Sequence, residues 1–302
     1  PNPLQEDNDE DGKGNVCDAC PDAANPGAMA CPAMATTVYA IRMGDIAPDL
    51  EVTLGGLVVT GLTSNGFHVQ QEASSADYDG VDFSGIFVFT GGAPSGVARG
   101  DVIDVTRATY TVFNDADQLS DTMFTVTASG MEPAPFTVAM PADIETTGSM
   151  AAALANVVVR VEGVTVTAIA DEFGQFAIDA GLLVGRNIFE ITPSPAVSDE
   201  FGFIQGPLAF TFMENKILPR DMADVGFSSL RISPSSLTAT LDASIDFTVF
   251  LPAPAGVGGD SVTITIAPAG LVTGPAAIVV PAGMTFATAT YTASATPATG
   301  TV

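Results

Sequence analysis

Residues 56–70 read GLVVTGLTSNGFHVQ, a segment that indicates the fold class most clearly. Apolar and β-branched residues stand on both sides of Asn65-Gly66, a dipeptide that favours the tight turn of a β-hairpin because both residues accept positive φ angles. Comparable short runs bounded by turn residues follow at 85–89, 102–106, 157–161, 164–167, 175–178 and 208–212. The pattern predicts an all-β protein, with a short helix only at 150–154.

The composition fits a folded chain with several small domains. Its 302 residues suffice for two or three domains. Of these residues 47% are apolar and only 15% are charged, whereas a disordered acidic chain has far less apolar material. The sequence has no apolar run of about 18 residues, so we expect no membrane-spanning helix. It begins at Pro1 without a methionine, as a processed product would.

The charge is strongly acidic and unevenly distributed. There are 35 acidic and 9 basic residues, which give a net charge of −26. Residues 1–35 carry −6, residues 36–228 carry −18 and residues 229–302 carry −2. Nucleic acids and anionic membranes are bound through Lys and Arg, so the charge disfavours both as partners. Calcium or another cation is the better-matched partner.

Residues 7–18 read DNDEDGKGNVCD and have the spacing of a calcium-binding loop. Oxygen ligands at loop positions 1, 3, 5, 9 and 12 would converge on the ion, and the glycine at position 6 permits the sharp turn. The lysine at position 7 would contribute its backbone carbonyl. The predicted ligands are Asp7, Asp9, Asp11, Lys13, Asn15 and Asp18. The competing interpretation is a solvated acidic tail.

The three cysteines, Cys17, Cys20 and Cys31, lie in or shortly after this loop. A Cys-x-x-Cys spacing is open to redox or zinc chemistry, whereas the surrounding aspartates favour an extracellular disulfide. The odd number leaves one thiol without a partner inside the chain.

The segment around the loop resembles a thrombospondin type 3 repeat. The matching features are Asn2-Pro3-Leu4-Gln5, the aspartate loop with Cys17-Asp18, Cys20-Pro21 and Asn25-Pro26. The resemblance implies bound calcium and a disulfide between Cys20 and Cys31, with Cys17 paired to a cysteine upstream of Pro1. It defines a first domain at residues 1–35.

The central region contains a weak internal repeat of short strands, roughly 37–138 and 149–226. Residues 56–60, 66–70, 84–88 and 100–102, then 159–164 and 218–225, resemble the tandem OB-fold-like region of secreted bacterial nucleases and lamin-tail surface proteins. The resemblance implies two small OB-like β-barrels, at 36–148 and 149–228. OB barrels often bind single strands through aromatic side chains in a basic groove. Here we expect the aromatic residues to belong to the core, namely Phe67, Phe87, Phe89 and Phe176.

Residues 229–302 are rich in Thr, Ala, Pro and Ser. Strands predicted at 245–251, 261–267, 277–280 and 285–294 resemble the bacterial immunoglobulin-like repeats of surface proteins. The resemblance implies an Ig-like β-sandwich in which Gly300-Thr301-Val302 begins an incomplete last strand. Either the native chain continues, or a neighbouring subunit completes the strand pairing.

The remaining candidate sites have weaker signals. Asp77, Asp79 and Asp82 could bind a second calcium ion or form an ordinary polar loop, and the same holds for 114–121. His68, the sole histidine, lies in an alternating strand, where we expect it to face solvent. A Ser-His-Asp site would need this histidine, yet the sequence has no Gly-x-Ser-x-Gly elbow, so we predict no enzymatic activity.

Together these observations predict a non-enzymatic, calcium-binding protein of the extracellular space or cell surface. Its expected role is structural or adhesive, as a subunit of a surface layer or fibre, with further copies of itself or other surface proteins as partners. The alternative is an accessory module that holds a substrate or nucleic acid for a secreted nuclease or hydrolase whose catalytic domain is absent.

Overall fold

The protein is mostly β, as the sequence predicts. The computed structural model describes residues 6–18, 20, 24–29, 31–169, 171–192, 194–234, 238–267 and 269–294. Strands dominate these residues, which contain one short α-helix and three short 3-10 helices. In the described ranges no helix is long and apolar enough to cross a bilayer.

The first sheet closes on itself. Its elements are β1 (Met34–Ala35), α1 (Val38–Arg42), β2 (Glu51–Thr63), β3 (Gly66–Gln71), β4 (Gly85–Phe89), β5 (Val102–Phe113) and β6 (Ala116–Ala128). The strands pair in the order β2-β3-β4-β6-β5, and β5 pairs back with β2. Only the β4–β6 contact within this ring is parallel. The ring encloses a core to which β2, β3 and β4 contribute Leu57, Val59, Phe67, Val69, Ile86 and Val88.

The second sheet repeats this order of pairings. Its strands are β7 (Phe136–Thr137), β8 (Val158–Ala168), β9 (Phe176–Ile178), β10 (Leu183–Val184), β11 (Glu200–Thr211), β12 (Glu214–Ile217) and β13 (Val225–Phe227). The pairings run β8-β9-β10-β12-β11, and β11 pairs back with β8. The β10–β12 contact is parallel, as is the corresponding contact in the first ring. The internal repeat seen in the sequence therefore corresponds to two rings with one strand order.

The distinctive motif at residues 218–225 forms a tight corner around a buried ion pair. Arg220 donates from Nε to Asp224 Oδ2 at 2.7 Å, and both side chains are almost inaccessible to solvent. Gln205 donates to the other oxygen of Asp224 at 2.8 Å. Because each charge is paired and hydrogen-bonded, the burial of both is tolerated. The corner includes the 3-10 helix Met222–Asp224, which follows two others at Pro141–Asp143 and Asp179–Gly181.

The C-terminal region contains two further sheets. One comprises β14 (Arg231–Ser233), β15 (Ser244–Phe250), β17 (Val272–Thr273) and β19 (Phe286–Ala293), and the other comprises β16 (Asp260–Thr263) and β18 (Ala277–Val280). Alternate residues of β15 are buried, which is the pattern of a strand with one face on a core. One apolar cluster draws on both sheets and includes Phe247, Val249, Ile278, Val280 and Tyr291. The predicted last strand at 300–302 lies outside the described residues.

The chain divides into two compact units. One contains Pro1–Phe136, Ser149–Val158 and Pro207–Asn215. The other contains Thr137–Gly148, Val159–Gly206 and Lys216–Val302. Each unit therefore draws on segments that are distant in the sequence.

Two local predictions are wrong. Residues 150–154 form turns rather than a helix, and the one described α-helix is instead Val38–Arg42, within a region predicted to be β. Thr37 is the N-cap of that helix, because its Oγ1 accepts the N–H of Ala40 at 3.2 Å. Such a cap fixes a helix start locally, even though Val38 and Ile41 have β-forming side chains.

His68 is buried, not solvent-facing as predicted. It is 2% exposed, and its Nδ1 lies 2.8 Å from Asn156 Oδ1. Gln70, two residues further along β3, accepts the N–H of Val158 at 3.1 Å. Both contacts join β3 to the segment 149–158, which we call the covering segment. Because this segment lies against its polar face, β3 is buried on both faces.

The covering segment approaches strand β4 so closely that only glycine fits. A Cβ on Gly85 would lie 2.5 Å from the carbonyl carbon of Asn156. The N–H of Phe83 donates to Ala153 O at 2.6 Å. Backbone therefore packs directly on backbone at this contact.

Gly85→Ala should lower the free energy of unfolding by about 2 kcal/mol or more, because the added methyl group meets backbone that has no room to move. Gly92→Ala is the matched control, since no atom lies within 4 Å of its added Cβ. Urea unfolding followed by circular dichroism measures both variants. Equal stability of the two would contradict the close packing of the covering segment.

The His68 contact should make stability depend on pH. Burial lowers the pKa of His68 from 6.5 to about 4, and the hydrogen bond to Asn156 opposes the shift only in part. Between these values the unfolded chain binds a proton that the folded chain does not. The free energy of unfolding should therefore fall by about 3 kcal/mol as the pH drops from 7 to 4.

The contribution of His68 is isolated by comparison with His68→Asn, which keeps a donor toward Asn156 but does not titrate. The difference in unfolding free energy between the parent and this variant, measured in urea from pH 7 to pH 4, should shrink by that amount. A constant difference across this range would refute the assignment.

Candidate metal centre

The acidic loop is shaped by hydrogen bonds from its own backbone to its aspartates. Asp9 Oδ1 accepts the N–H of Asp11 at 3.2 Å, and Asp11 Oδ1 accepts the N–H of Lys13 at 2.8 Å. Asp18 Oδ1 accepts the N–H of Cys20 at 3.0 Å. Aspartate favours such turns because its short side chain reaches the backbone two residues further on. The consecutive turns curl the chain and direct the carboxylates inward.

Glycine is required at the sharpest point of the loop. Gly12 has a φ of +93°, a backbone conformation that side chains disfavour. Its N–H donates to Asp7 Oδ2 at 3.0 Å, which draws the start of the loop toward its middle. The glycine at loop position 6 thus has the role that the sequence assigns to it.

Three aspartates converge at the centre of this loop. Asp7, Asp9 and Asp11 each present a carboxylate oxygen, and these oxygens lie within 4.8 Å of one another. Carboxylates at this distance repel one another unless a proton or a cation intervenes. The convergence therefore has an electrostatic cost in the absence of a cation.

The other oxygen of several carboxylates is buried without a hydrogen bond. Among the described residues, these atoms are Asp7 Oδ1, Asp9 Oδ2 and Asp18 Oδ2. In each of the three side chains, one oxygen accepts a backbone N–H and the second is unsatisfied. Buried carboxylate oxygens need a donor or a metal ion. The pattern is that of ligands fixed in place by one oxygen and available through the other.

The pKa values of Asp9 and Asp11 are shifted in opposite directions. Partial desolvation raises the pKa of Asp9, and the negative charges of Asp11 and Asp18 raise it further. The hydrogen bond from the N–H of Asp11 lowers this pKa but does not cancel the increase. Desolvation also acts on Asp11, but N–H bonds from Lys13 and Asn25 and the nearby lysine ammonium lower its pKa overall. Asp9 is therefore the carboxylate whose negative charge a bound cation would stabilise most clearly.

A disulfide next to the acidic loop is linked to it by hydrogen bonds. Cys20 and Cys31 are bonded, as the thrombospondin resemblance implies, and Cys17 is an exposed free thiol. Asn25 connects this disulfide to the loop, because its Nδ2 donates to Cys20 Sγ at 3.1 Å and its N–H donates to Asp11 Oδ2 at 2.9 Å. Sequence analysis missed this role of Asn25, although the Asn25-Pro26 motif marks its position.

Two predicted ligands have other contacts. Asn15 Oδ1 accepts the N–H of Asn8 at 3.0 Å. The Lys13 ammonium donates to Asn25 Oδ1 at 2.8 Å and lies 3.7 Å from Asp11 Oδ2. Asn15 thus closes the loop through its side chain, and Lys13 joins the loop to the disulfide segment.

The other acidic segments do not form a comparable cluster. Asp7, Asp9 and Asp11 are the one group of three metal-binding side chains found within the described ranges, so Asp77, Asp79 and Asp82 are not brought together. In the 114–121 segment, Asp117 instead pairs with Arg42 at 2.6 Å. It also accepts the hydroxyl hydrogen of Tyr110 at 2.6 Å, so its contacts are structural.

The chemistry of the donors fits calcium. The converging and unsatisfied atoms are all carboxylate oxygens, the hard ligands that calcium prefers, and their combined negative charge matches a divalent cation. Asp7, Asp9, Asp11 and Asp18 are the residues that would hold the ion. Bound there, calcium would remove the repulsion between them and satisfy the buried oxygens.

Comparisons of this chain with protein family models, with curated proteins and with solved structures gave no match. The geometry of the acidic loop and the strand pairings are therefore the basis for assigning a function.

Asp9→Asn should weaken calcium binding by roughly tenfold or more, because it removes a charged ligand while it preserves the size of the side chain. Isothermal titration calorimetry of the full chain measures the affinity. Asp45→Asn, an equal change of charge at an exposed position, should leave the affinity unchanged. Unaltered calcium affinity in Asp9→Asn would exclude Asp9 from the site.

Proposed function

We propose that this is a non-enzymatic, calcium-stabilised structural or adhesive protein of the extracellular space or cell surface. The observation that carries the proposal is the acidic loop, where the carboxylates of three aspartates converge and three aspartate oxygens, two of them in this group, are buried without a hydrogen bond. Such a loop gains order when calcium binds, because neutralisation removes the repulsion between the aspartates. The Cys20–Cys31 disulfide beside it fits the oxidising conditions outside cells.

We infer that the central region contains two OB-like barrels. The support is topological: both rings contain five strands in the order first-second-third-fifth-fourth, with a parallel contact between the third and the fifth. An OB fold is a five-stranded Greek-key barrel. A closed ring has no free edge, which suits a stable spacer in an extracellular protein.

The covering segment argues against nucleic-acid binding by the first barrel. OB folds use the face of their second and third strands for ligands. In the first ring these are β3 and β4, and β3 presents His68 and Gln70 to the covering segment. A ligand would have to displace buried hydrogen bonds. The net charge of −26 opposes phosphate as well, so the accessory-module alternative is disfavoured.

The C-terminal region has features of an Ig-like spacer. Its two sheets share one apolar core, and the outer face of the β15–β19 pair carries threonines. Thr248 and Thr288 are hydrogen-bonded across the strands at 2.7 Å, and Thr290 donates to Asp246 at 2.6 Å. Cross-strand polar pairs of this kind stabilise a solvent-facing sheet surface. The likeness supports a sandwich domain of the type found in surface proteins.

The proposal is tested by sedimentation velocity and thermal unfolding of the full chain in millimolar calcium and in excess chelator. We expect calcium to raise the melting temperature and to promote large assemblies that dissociate on chelation. Magnesium at the same concentration is the control, because its smaller ion demands stricter octahedral geometry. Identical melting temperatures with calcium and with chelator would refute calcium stabilisation, and a monomer under all conditions would refute the polymer.

A further inference from the structure

The hairpin between β11 and β12 has an unusual tip. Its two turn residues are Phe212 and Met213, with φ angles of 54° and 66°. Bulky side chains disfavour this left-handed conformation, which Asn and Gly adopt readily. Both side chains are also exposed, Phe212 to 81% and Met213 to 53%. The tip therefore combines an unfavourable backbone with unfavourable exposure of apolar surface.

The first ring contains a corresponding hairpin with which this one can be compared. Its corresponding turn, between β5 and β6, consists of Asn114 and Asp115, with φ angles of 48° and 61°. The same backbone is thus formed by two residues that accept it. The requirements of the turn do not explain Phe212 and Met213, whereas a binding partner for their exposed side chains would.

A depression in the C-terminal region is lined mostly by apolar residues, which suits the apolar side chains of the hairpin tip. It lies between β14 and β15 on one side and β16 on the other, with a volume of about 170 Å³. Five of its eight lining residues are apolar, namely Leu230, Ile232, Val249, Val262 and Ile264, and the other three are Arg231, Thr263 and Thr265. Small-molecule pockets typically measure about 300–1,000 Å³, so this depression suits one large side chain better than a free ligand. Leu230 at its rim is 56% exposed.

The charge distribution favours a second copy of the chain as the partner. Residues 229–302 contain three aspartates and one arginine, a net −2, which leaves −24 of the total −26 on the rest of the chain. Two copies that met through their acidic regions would repel each other. The nearly neutral C-terminal region is therefore the surface on which another copy meets the least repulsion, and the β11–β12 hairpin, whose residues 200–217 carry a net −1, is a weakly charged part of that copy.

We propose that the Phe212–Met213 tip of one copy inserts into the C-terminal depression of the next. The contact joins two different surfaces of the same chain, so each copy can bind one neighbour through its tip and another through its depression. Heterologous contacts of this kind produce open filaments unless the rotation between copies closes a ring. This inference rests on the proposed structural function and identifies its joint.

The test uses two variants of the full chain, both with Cys17→Ser so that disulfide-linked dimers through the exposed thiol cannot form. Phe212→Asn combined with Met213→Gly removes the apolar tip and supplies residues suited to the turn. Leu230→Glu places a charge at the rim of the depression, at a position exposed enough to leave the fold intact. Sedimentation velocity in millimolar calcium reports the assembly state of each.

Each variant alone should sediment as a monomer at concentrations where the Cys17→Ser parent assembles. An equimolar mixture should form a 1:1 dimer and nothing larger, since one variant retains the depression and the other retains the tip. At a protein concentration low enough for both to be monomeric, the tip variant should also unfold at a urea concentration no lower than the parent. Phe113→Thr is the matched control, because it removes an exposed aromatic residue beside the corresponding turn, and its assembly should equal that of the parent.

Two results would overturn the joint alone. Assembly of the tip variant to the parental extent would show that Phe212 and Met213 are not the contact, and monomers in the mixture would show that tip and depression do not meet. Either result leaves calcium-dependent assembly of the parent standing. A parent that stays monomeric in calcium overturns both this joint and the polymer, while calorimetry still reports calcium binding separately.

Discussion

The covering of strand β3 by residues 149–158 is the interaction on which the first compact unit depends. His68 and Gln70 would be costly to bury alone, but Asn156 and the N–H of Val158 satisfy them. Gly85 allows the two backbones to approach closely. As a result, a face that a five-stranded barrel could offer to a ligand is used to bind another part of the same chain. The first ring therefore does not present this face as an open binding surface.

In the acidic loop, by contrast, the contacts between side chains are repulsive rather than mutually satisfied. Its aspartates are brought together by backbone hydrogen bonds and by the anchor from Asn25 to the disulfide, although their charges repel one another. The loop thus holds a destabilised arrangement that a divalent cation would stabilise. Two closed rings, an acidic loop that would bind calcium and an exposed apolar hairpin tip are compatible parts of the proposed role, in which the rings would act as spacers and the loop and the tip would control order and contact.

Sequence reasoning predicted much of this. The strands 85–89 and 277–280 lie where their patterns predict them. The predicted hairpin joins β2 to β3, but its turn residues are Ser64 and Asn65, one position before the Asn65-Gly66 pair, and Gly66 is the first residue of β3. The spacing of the aspartates led to the cluster at Asp7, Asp9 and Asp11, and the repeat resemblance led to the Cys20–Cys31 pair. These features could be predicted because turn chemistry, alternation and ligand spacing operate over a few residues.

The incorrect prediction depends on contacts between residues that are far apart in the sequence. His68 was predicted to face solvent in an alternating strand, because no local pattern reveals that a segment 88 residues further along covers it. Similarly, nothing local to Phe212 and Met213 marks them as turn residues in a strained conformation. The β class, the repeat and the acidic loop could therefore be inferred from the amino-acid sequence, because short-range rules of turns and periodicity govern them. The buried polar face and the exposed apolar residues became evident in the three-dimensional fold, because both depend on packing between segments distant in the chain.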